Sequence, residues 1–233
     1  MEVKTLFLHI TNKGAKMSFK KISLLIICFS IFSCRQHPFA LREGDIIFQE
    51  SGVSQTENSI QEVTNSIEGY NFTHVGIVAI DEGGNAMVLE AVPPLVTITR
   101  IEEFLYPEGK NNPYPVSVVG RLKPEYRRLV PAAIEEGRKL VGLPYDHAYT
   151  LGDDKYYCSE YIYEIFKRAN GGKEVFSLNR MTFKSPGTDM ITEGWVQHFE
   201  KLGMPVPEGE DGINPGAMST CDIIDIVHKY QAY

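Results

Sequence analysis

Thr73-His74-Val75-Gly76-Ile77-Val78-Ala79-Ile80-Asp81-Glu82-Gly83-Gly84-Asn85-Ala86-Met87-Val88-Leu89-Glu90-Ala91-Val92 reads as a β-hairpin. β-Branched residues crowd the first run, as strands favour. The Asp81–Asn85 cluster is a turn, and the second run returns until Pro93-Pro94 breaks it. With Asp81–Asn85 as the loop, Ile80 opposes Ala86, and counting back sets Gly76 opposite Glu90. Side chains alternate across a strand, so His74, Gly76 and Glu90 share a face. Glu90 then lies diagonal to His74, within reach of a long side chain, and Gly76 leaves the space between them empty. A slip of one residue would turn Glu90 to the other face. A carboxylate in an apolar run needs a partner, because an unpaired buried charge is costly. His74 is the nearest candidate.

Outward from the hairpin, a second informative stretch is Asp153-Asp154-Lys155-Tyr156-Tyr157-Cys158-Ser159-Glu160. It leads into a patterned helix over Ser159–Ala169, closed by Asn170-Gly171-Gly172. Cys158 thus stands at a helix start, where the dipole favours the thiolate. A thiol at a helix start, an imidazole on a strand and a carboxylate on the next strand are the parts of a cysteine hydrolase. Taken singly each has a plainer reading: a hydrogen-bonded core histidine, or a cysteine in a disulfide. Tyr156, Tyr157 and Asp146 are candidates to line the site and bind substrate, with packing as the alternative for the tyrosines and a plain loop position for Asp146.

The remaining elements follow from the same signals. Gly44–Gln49 reads as a first strand, and Ser51–Tyr70 holds a short helix with apolar residues at Val53, Ile60, Val63 and Ile67. Val96–Thr99 is a short strand, Ile101–Leu105 a helical turn and Tyr114–Leu122 a further strand. Pro124–Val141 reads as one helix ended by Gly142. Ser185-Pro186-Gly187 and Asn214-Pro215-Gly216 each open a short helix with Pro near its first position. His198 and His228 fall in helical contexts. The sum is antiparallel strands with helices segregated along the chain, an α+β class.

The chain has 233 residues, 43% apolar and 23% charged, with a net charge of −7. That suits one domain with a real core. No basic block stands out in the part taken as mature, so nucleic acid is not an expected partner. No internal repeat is evident. Lys20-Lys21 followed by the apolar run Ile22–Cys34 has the pattern of a secretory signal, with Met17 as the expected start. Ile31-Phe32-Ser33-Cys34 resembles a lipobox, in which Cys34 carries lipid. The reading is therefore residues 1–33 as signal peptide, 34–43 as tether and 44–233 as a single catalytic domain anchored in the cell envelope. Cys158 and Cys221 remain, and in an oxidising compartment they could pair. No tight Cys/His spacing of the zinc kind occurs, so neither metal nor other cofactor is expected.

In order and spacing, Gly44-Asp45-Ile46-Ile47-Phe48, Thr73-His74-Val75-Gly76-Ile77, Leu89-Glu90-Ala91, Gly142-Leu143-Pro144-Tyr145-Asp146 and Tyr156-Tyr157-Cys158-Ser159-Glu160 resemble the circularly permuted papain-like amidases of the NlpC type (YiiX/YaeF-like). The resemblance runs roughly from Leu41 to Ile224, and the histidine precedes the cysteine as in permuted members. It implies a permuted papain-like fold, an antiparallel sheet or small barrel packed against helices. It also implies Cys158 as nucleophile, His74 as general base and Glu90 as third polar residue. The expected activity is cleavage of an amide, with a cell-wall-type peptide as substrate class. An acyltransferase or lipid-ester hydrolase, and a non-catalytic binding module, are the alternatives on the same fold.

Overall fold

The computed structural model describes residues 39–50, 54–106, 116–152 and 154–230. The signal, lipobox and Cys34 readings, and residues 114, 115 and 153, lie outside these. A six-stranded antiparallel sheet organises the domain. Its strands are β1 (Ile46–Glu50), β2 (His74–Ile80), β3 (Ala86–Val92), β4 (Leu95–Arg100), β5 (Val116–Leu122) and β8 (Ile224–Tyr230), in the order β4-β3-β2-β1-β5-β8. A two-stranded ribbon, β6 (Asn179–Arg180) with β7 (Asp211–Gly212), stands apart. The helices are α1 (Gln55–Val63), α2 (Ile101–Leu105), α3 (Pro124–Arg127), α4 (Val130–Lys139), α5 (Cys158–Ala169), α6 (Glu193–Leu202) and α7 (Pro215–Ser219). The α+β expectation holds.

The hairpin adopts the register its sequence dictates. Ile80 pairs with Ala86 and Ile77 with Leu89, so one further step sets Gly76 against Glu90. The turn is locked by its own polar residues: Asp81 N–H donates to Asn85 O (3.0 Å) and Asn85 N–H to Asp81 Oδ1 (2.8 Å).

Alternation divides the sheet between two cores. Ile46, Phe48, Val75, Ile77 and Leu89 face the larger one, under α4 and α5. Helix α5 buries Tyr161, Ile162, Ile165 and Phe166 completely, at helical spacing. Each such aliphatic or aromatic burial is worth roughly 1.5–3 kcal/mol, which fixes the helix on the sheet. Ile47, Val78, Val88 and Val119 face the smaller core with Phe104 and Leu105 of α2. Gly76 belongs to this second face, and the space above it is filled. A Cβ there would meet Val88 Cγ1 at 2.4 Å and Phe104 Cε2 at 3.1 Å, so glycine admits neighbours rather than leaving a gap.

Several expectations are corrected. The run from Pro124 to Val141 is two helices, broken at Arg128 and Leu129. Pro131 sits in the first turn of α4; its ring clashes with the carbonyl four residues earlier and it has no N–H to donate. Ser185–Met190 forms a turn, with Thr188 N–H donating to Ser185 O (3.1 Å), rather than a helix. His228 lies on β8, not on a helix, whereas His198 does lie on a helix, α6. Residues 39–43, read as tether, join the fold: Phe39 stacks on His228 with ring centroids 4.2 Å apart, and Leu41 packs against the smaller core. Cys158 and Cys221 are both free thiols, so the disulfide alternative is excluded.

Candidate active site

The site forms where the beginning of β2 meets the beginning of α5. His74 is the first residue of β2 and Cys158 the first of α5. The start of α5 is tied down on several sides. Glu160 reaches back to accept from Tyr157 N–H (3.4 Å) and Gly152 N–H (3.2 Å). Ser159 Oγ donates to Ile213 O (2.8 Å), and Ile213 N–H donates to the Tyr157 hydroxyl (3.2 Å). These bonds hold the sulfur of Cys158, which is 5% exposed, in a fixed position.

His74 links two groups. Its Nε2 lies 2.5 Å from Glu90 Oε2, and its ring also hydrogen-bonds the side chain of Cys158. Glu90 occupies Nε2. Burial opposes charge on the imidazole. The hydrogen bonds to Cys158 and Glu90, reinforced by their charges, outweigh it and raise the pKa from 6.5 to about 10. His74 therefore stays protonated at neutral pH, the state that pairs with a thiolate.

The carboxylate is itself held. Thr99 Oγ1 donates to Glu90 Oε1, so both oxygens of a nearly fully buried carboxylate have partners. The pairing of Glu90 with Thr97 sets Thr99 diagonal to it on the same face. The sequence reading gave Thr99 no role. Extending the period-2 reading across the Pro93-Pro94 turn to Thr97 and Thr99 is the signal that finds it.

The other sequence candidates have different surroundings. Asp146 is 1% exposed and accepts from Ala148 N–H and Thr150 N–H, both at 2.8 Å, which shapes the loop before Cys158. Tyr156 turns its hydroxyl to Arg168 (3.0 Å) and lines a cavity on the flank of α5. Tyr157 lines a cavity beside Cys158, but its hydroxyl is spent on Ile213. Like those of Tyr157, the electrostatics of Tyr145 and Tyr149 reach Cys158. Burial, then the charges around them, raises both hydroxyls well above the ordinary tyrosine range, and the two are hydrogen-bonded to each other. Tyr149 takes a left-handed backbone (φ 56°) to fit among Tyr157, Trp195 and His198. His147 and His198 line the cleft in front of His74.

The described residues contain no group of three or more His, Cys, Asp or Glu side chains arranged to hold a metal ion, and none of their helices is long and apolar enough to cross a membrane.

With this geometry in hand, comparison with known proteins is informative. A family model described as "Permuted papain-like amidase enzyme, YaeF/YiiX, C92 family" matches residues 40–228. The uncharacterized protein YiiX of Escherichia coli K12 is 27% identical over 208 residues, covering 88% of this chain and 95% of that one. A crystal structure from Escherichia coli O157:H7, titled as that of metalloprotein yiiX, superposes with a TM-score of 0.63 at 23% identity, covering 81% of this chain and 97% of the other. That likeness establishes the fold.

Proposed function

The chain belongs to the permuted papain-like amidase family of the YaeF/YiiX type, and from that premise we propose that it hydrolyses an amide bond through an acyl-enzyme on Cys158. The thiolate of Cys158 attacks the carbonyl carbon. The C–N bond breaks, and the leaving nitrogen takes its proton from the His74 imidazolium. A thioester remains. Water, deprotonated by the now neutral His74, attacks the thioester; the acid leaves and the thiol is regenerated. First-turn amides of α5, which lack acceptors within the helix, are the natural donors to the oxyanion. Glu90 keeps the ring oriented and the imidazolium stabilised. The observation that carries this reading is one imidazole hydrogen-bonded both to a buried carboxylate and to a free thiol at a helix start.

The substrate class we propose is a cell-wall-type peptide. Support comes from the leader-like segment and lipobox-like Ile31–Cys34, with Cys34 as a lipid anchor holding the domain to a membrane face of the envelope. The apolar cavity beside Cys158 is the feature an acyltransferase or lipid-ester hydrolase shares. A pure binding module has no need of thiol, imidazole and carboxylate together.

Iodoacetamide separates enzyme from binder: Cys158 is expected to label rapidly, and labelling is expected to slow in His74→Ala. Turnover of peptidoglycan stem peptides against acylated lipids then separates the two enzymes. Radiolabelled palmitate entering wild type but not Cys34→Ala tests the anchor.

A further inference from the structure

Two cavities of unlike size meet at the site, sharing Tyr145 and Tyr149. His74 and Glu90 line an open cleft of about 630 Å³. Cys158 lines a cavity of about 40 Å³ with Val63, Met181, Phe183, Trp195 and Ile213.

Resting on the amide-hydrolase reading above, we propose that the small cavity receives the side chain on the acyl side of the scissile bond, that the open cleft receives the leaving group, and that the acyl-side group is apolar and short, like that of alanine or valine. The assignment of sides follows from the chemistry. The group that protonates the leaving nitrogen has to stand beside it, and His74 faces the cleft. The acyl part stays bonded to the sulfur, and the sulfur faces the small cavity.

The size follows from volume. About 40 Å³ beside Cys158 against about 630 Å³ in the cleft leaves room for a short side chain and not for a long one. Its walls do not yield readily. Phe183 and Trp195 are 1% and 3% exposed and pack edge to face with centroids 5.0 Å apart. A long acyl chain would have to part them. The chemistry of the occupant follows from the wall: each methylene buried there contributes about 0.8 kcal/mol, whereas a polar group loses its hydration against an apolar lining.

The test uses the purified chain. Peptidyl amides with one aminocoumarin leaving group and Gly, Ala, Val, Leu, Phe or an octanoyl group on the acyl side are compared by kcat/KM. Acyloxymethyl ketones with the same acyl groups are compared by their rate of Cys158 modification. Both series are expected to rise about tenfold from Gly to Ala or Val, the scale of a methylene-sized change in an apolar pocket, and to fall at least as far for Phe and octanoyl. Met181→Ala is expected to move the optimum to Leu or Phe. A flat series, or one that favours Phe or octanoyl in wild type, overturns the proposal. If iodoacetamide still alkylates Cys158 in a His74-dependent way in that case, the hydrolase reading survives; loss of that alkylation removes both.

Discussion

Glu90 and His74 are sixteen residues apart in sequence, and their side chains meet at 2.5 Å across the opening between β3 and β2. The register of the hairpin makes the contact possible, and the second carboxylate oxygen is already taken by Thr99. The ring can therefore neither flip nor drift without breaking a charge-assisted bond. The ring also interacts with the side chain of Cys158. The imidazolium is thus built into the resting site and precedes substrate.

Cys158→Ala and Cys158→Ser are expected to abolish amide hydrolysis while leaving thermal unfolding within a few degrees of wild type. The side chain is small, and the helix start is held by Glu160, Ser159 and Tyr157 rather than by the sulfur. Activity assays and melting curves on the same preparations check both halves. Near-wild-type turnover in Cys158→Ala removes the nucleophile assignment.

The raised pKa of His74 gives a pH dependence of known sign. Burial works against the charged ring, but the bonds to Cys158 and Glu90 more than compensate, and the folded-state value is about 10 against 6.5 for an ordinary histidine. A group raised in the folded state contributes stability that is fully present below the unfolded value and fades as pH climbs through the folded one. Stability from this group is therefore expected to be retained at pH 6 and to decline between about pH 6.5 and 10. In Glu90→Gln the decline moves to lower pH and the rate falls only in part, since the proton donor itself remains. Urea unfolding across that range, with NMR titration of the His74 ring, is the measurement; identical titration curves for mutant and wild type contradict the argument.

Thr99→Val keeps the shape of the β4 side chain and removes the hydroxyl that Glu90 Oε1 accepts from. A hydrogen bond to a charged group is worth roughly 1.5–3 kcal/mol, so a loss of about tenfold or more in kcat is expected at nearly constant KM. The His74 titration should shift with it, and Thr99→Ser should restore both. A purely structural role for Thr99 predicts a lower melting temperature with the His74 titration unmoved.

What the sequence made legible was local. The hairpin register could be counted because Asp81 and Asn85 pin the turn and the strands alternate cleanly. The start of α5 could be located to within a residue because helix periodicity begins just after Cys158. What stayed hidden depended on distant pairings. Thr99 gains its role only once the turn after Val92 is known to bring β4 back beside β3. His228 looked helical because the alternation of Ile224, Ile226 and His228 acquires meaning only beside β5. Asp146 and Tyr156 lie in the right segment by sequence. Yet a backbone turn and Arg168, neither of them visible in a motif, decide which way their polar atoms point.

Tyr161 supplies a test of the scaffold independent of the chemistry. Its ring is fully buried on α5, but among the described residues the hydroxyl has no hydrogen-bond partner. Burial accordingly raises the phenol well above its ordinary range. A buried polar atom without a partner costs about 1–3 kcal/mol of desolvation, so Tyr161→Phe is expected to stabilise the fold by about 1 kcal/mol and leave kcat/KM unchanged. The neighbouring contact sharpens the expectation. Gly137 of α4 faces that hydroxyl so closely that a Cβ would stand 2.6 Å from it and 3.2 Å from Leu89 Cδ1. Gly137→Ala alone is therefore expected to destabilise, in spite of alanine's better helix propensity. In the Tyr161→Phe background the oxygen is gone, and part of that cost is expected to disappear. A double-mutant cycle by urea denaturation reads the coupling directly; strictly additive effects would mean that the α4–α5 contact is not set by this hydroxyl.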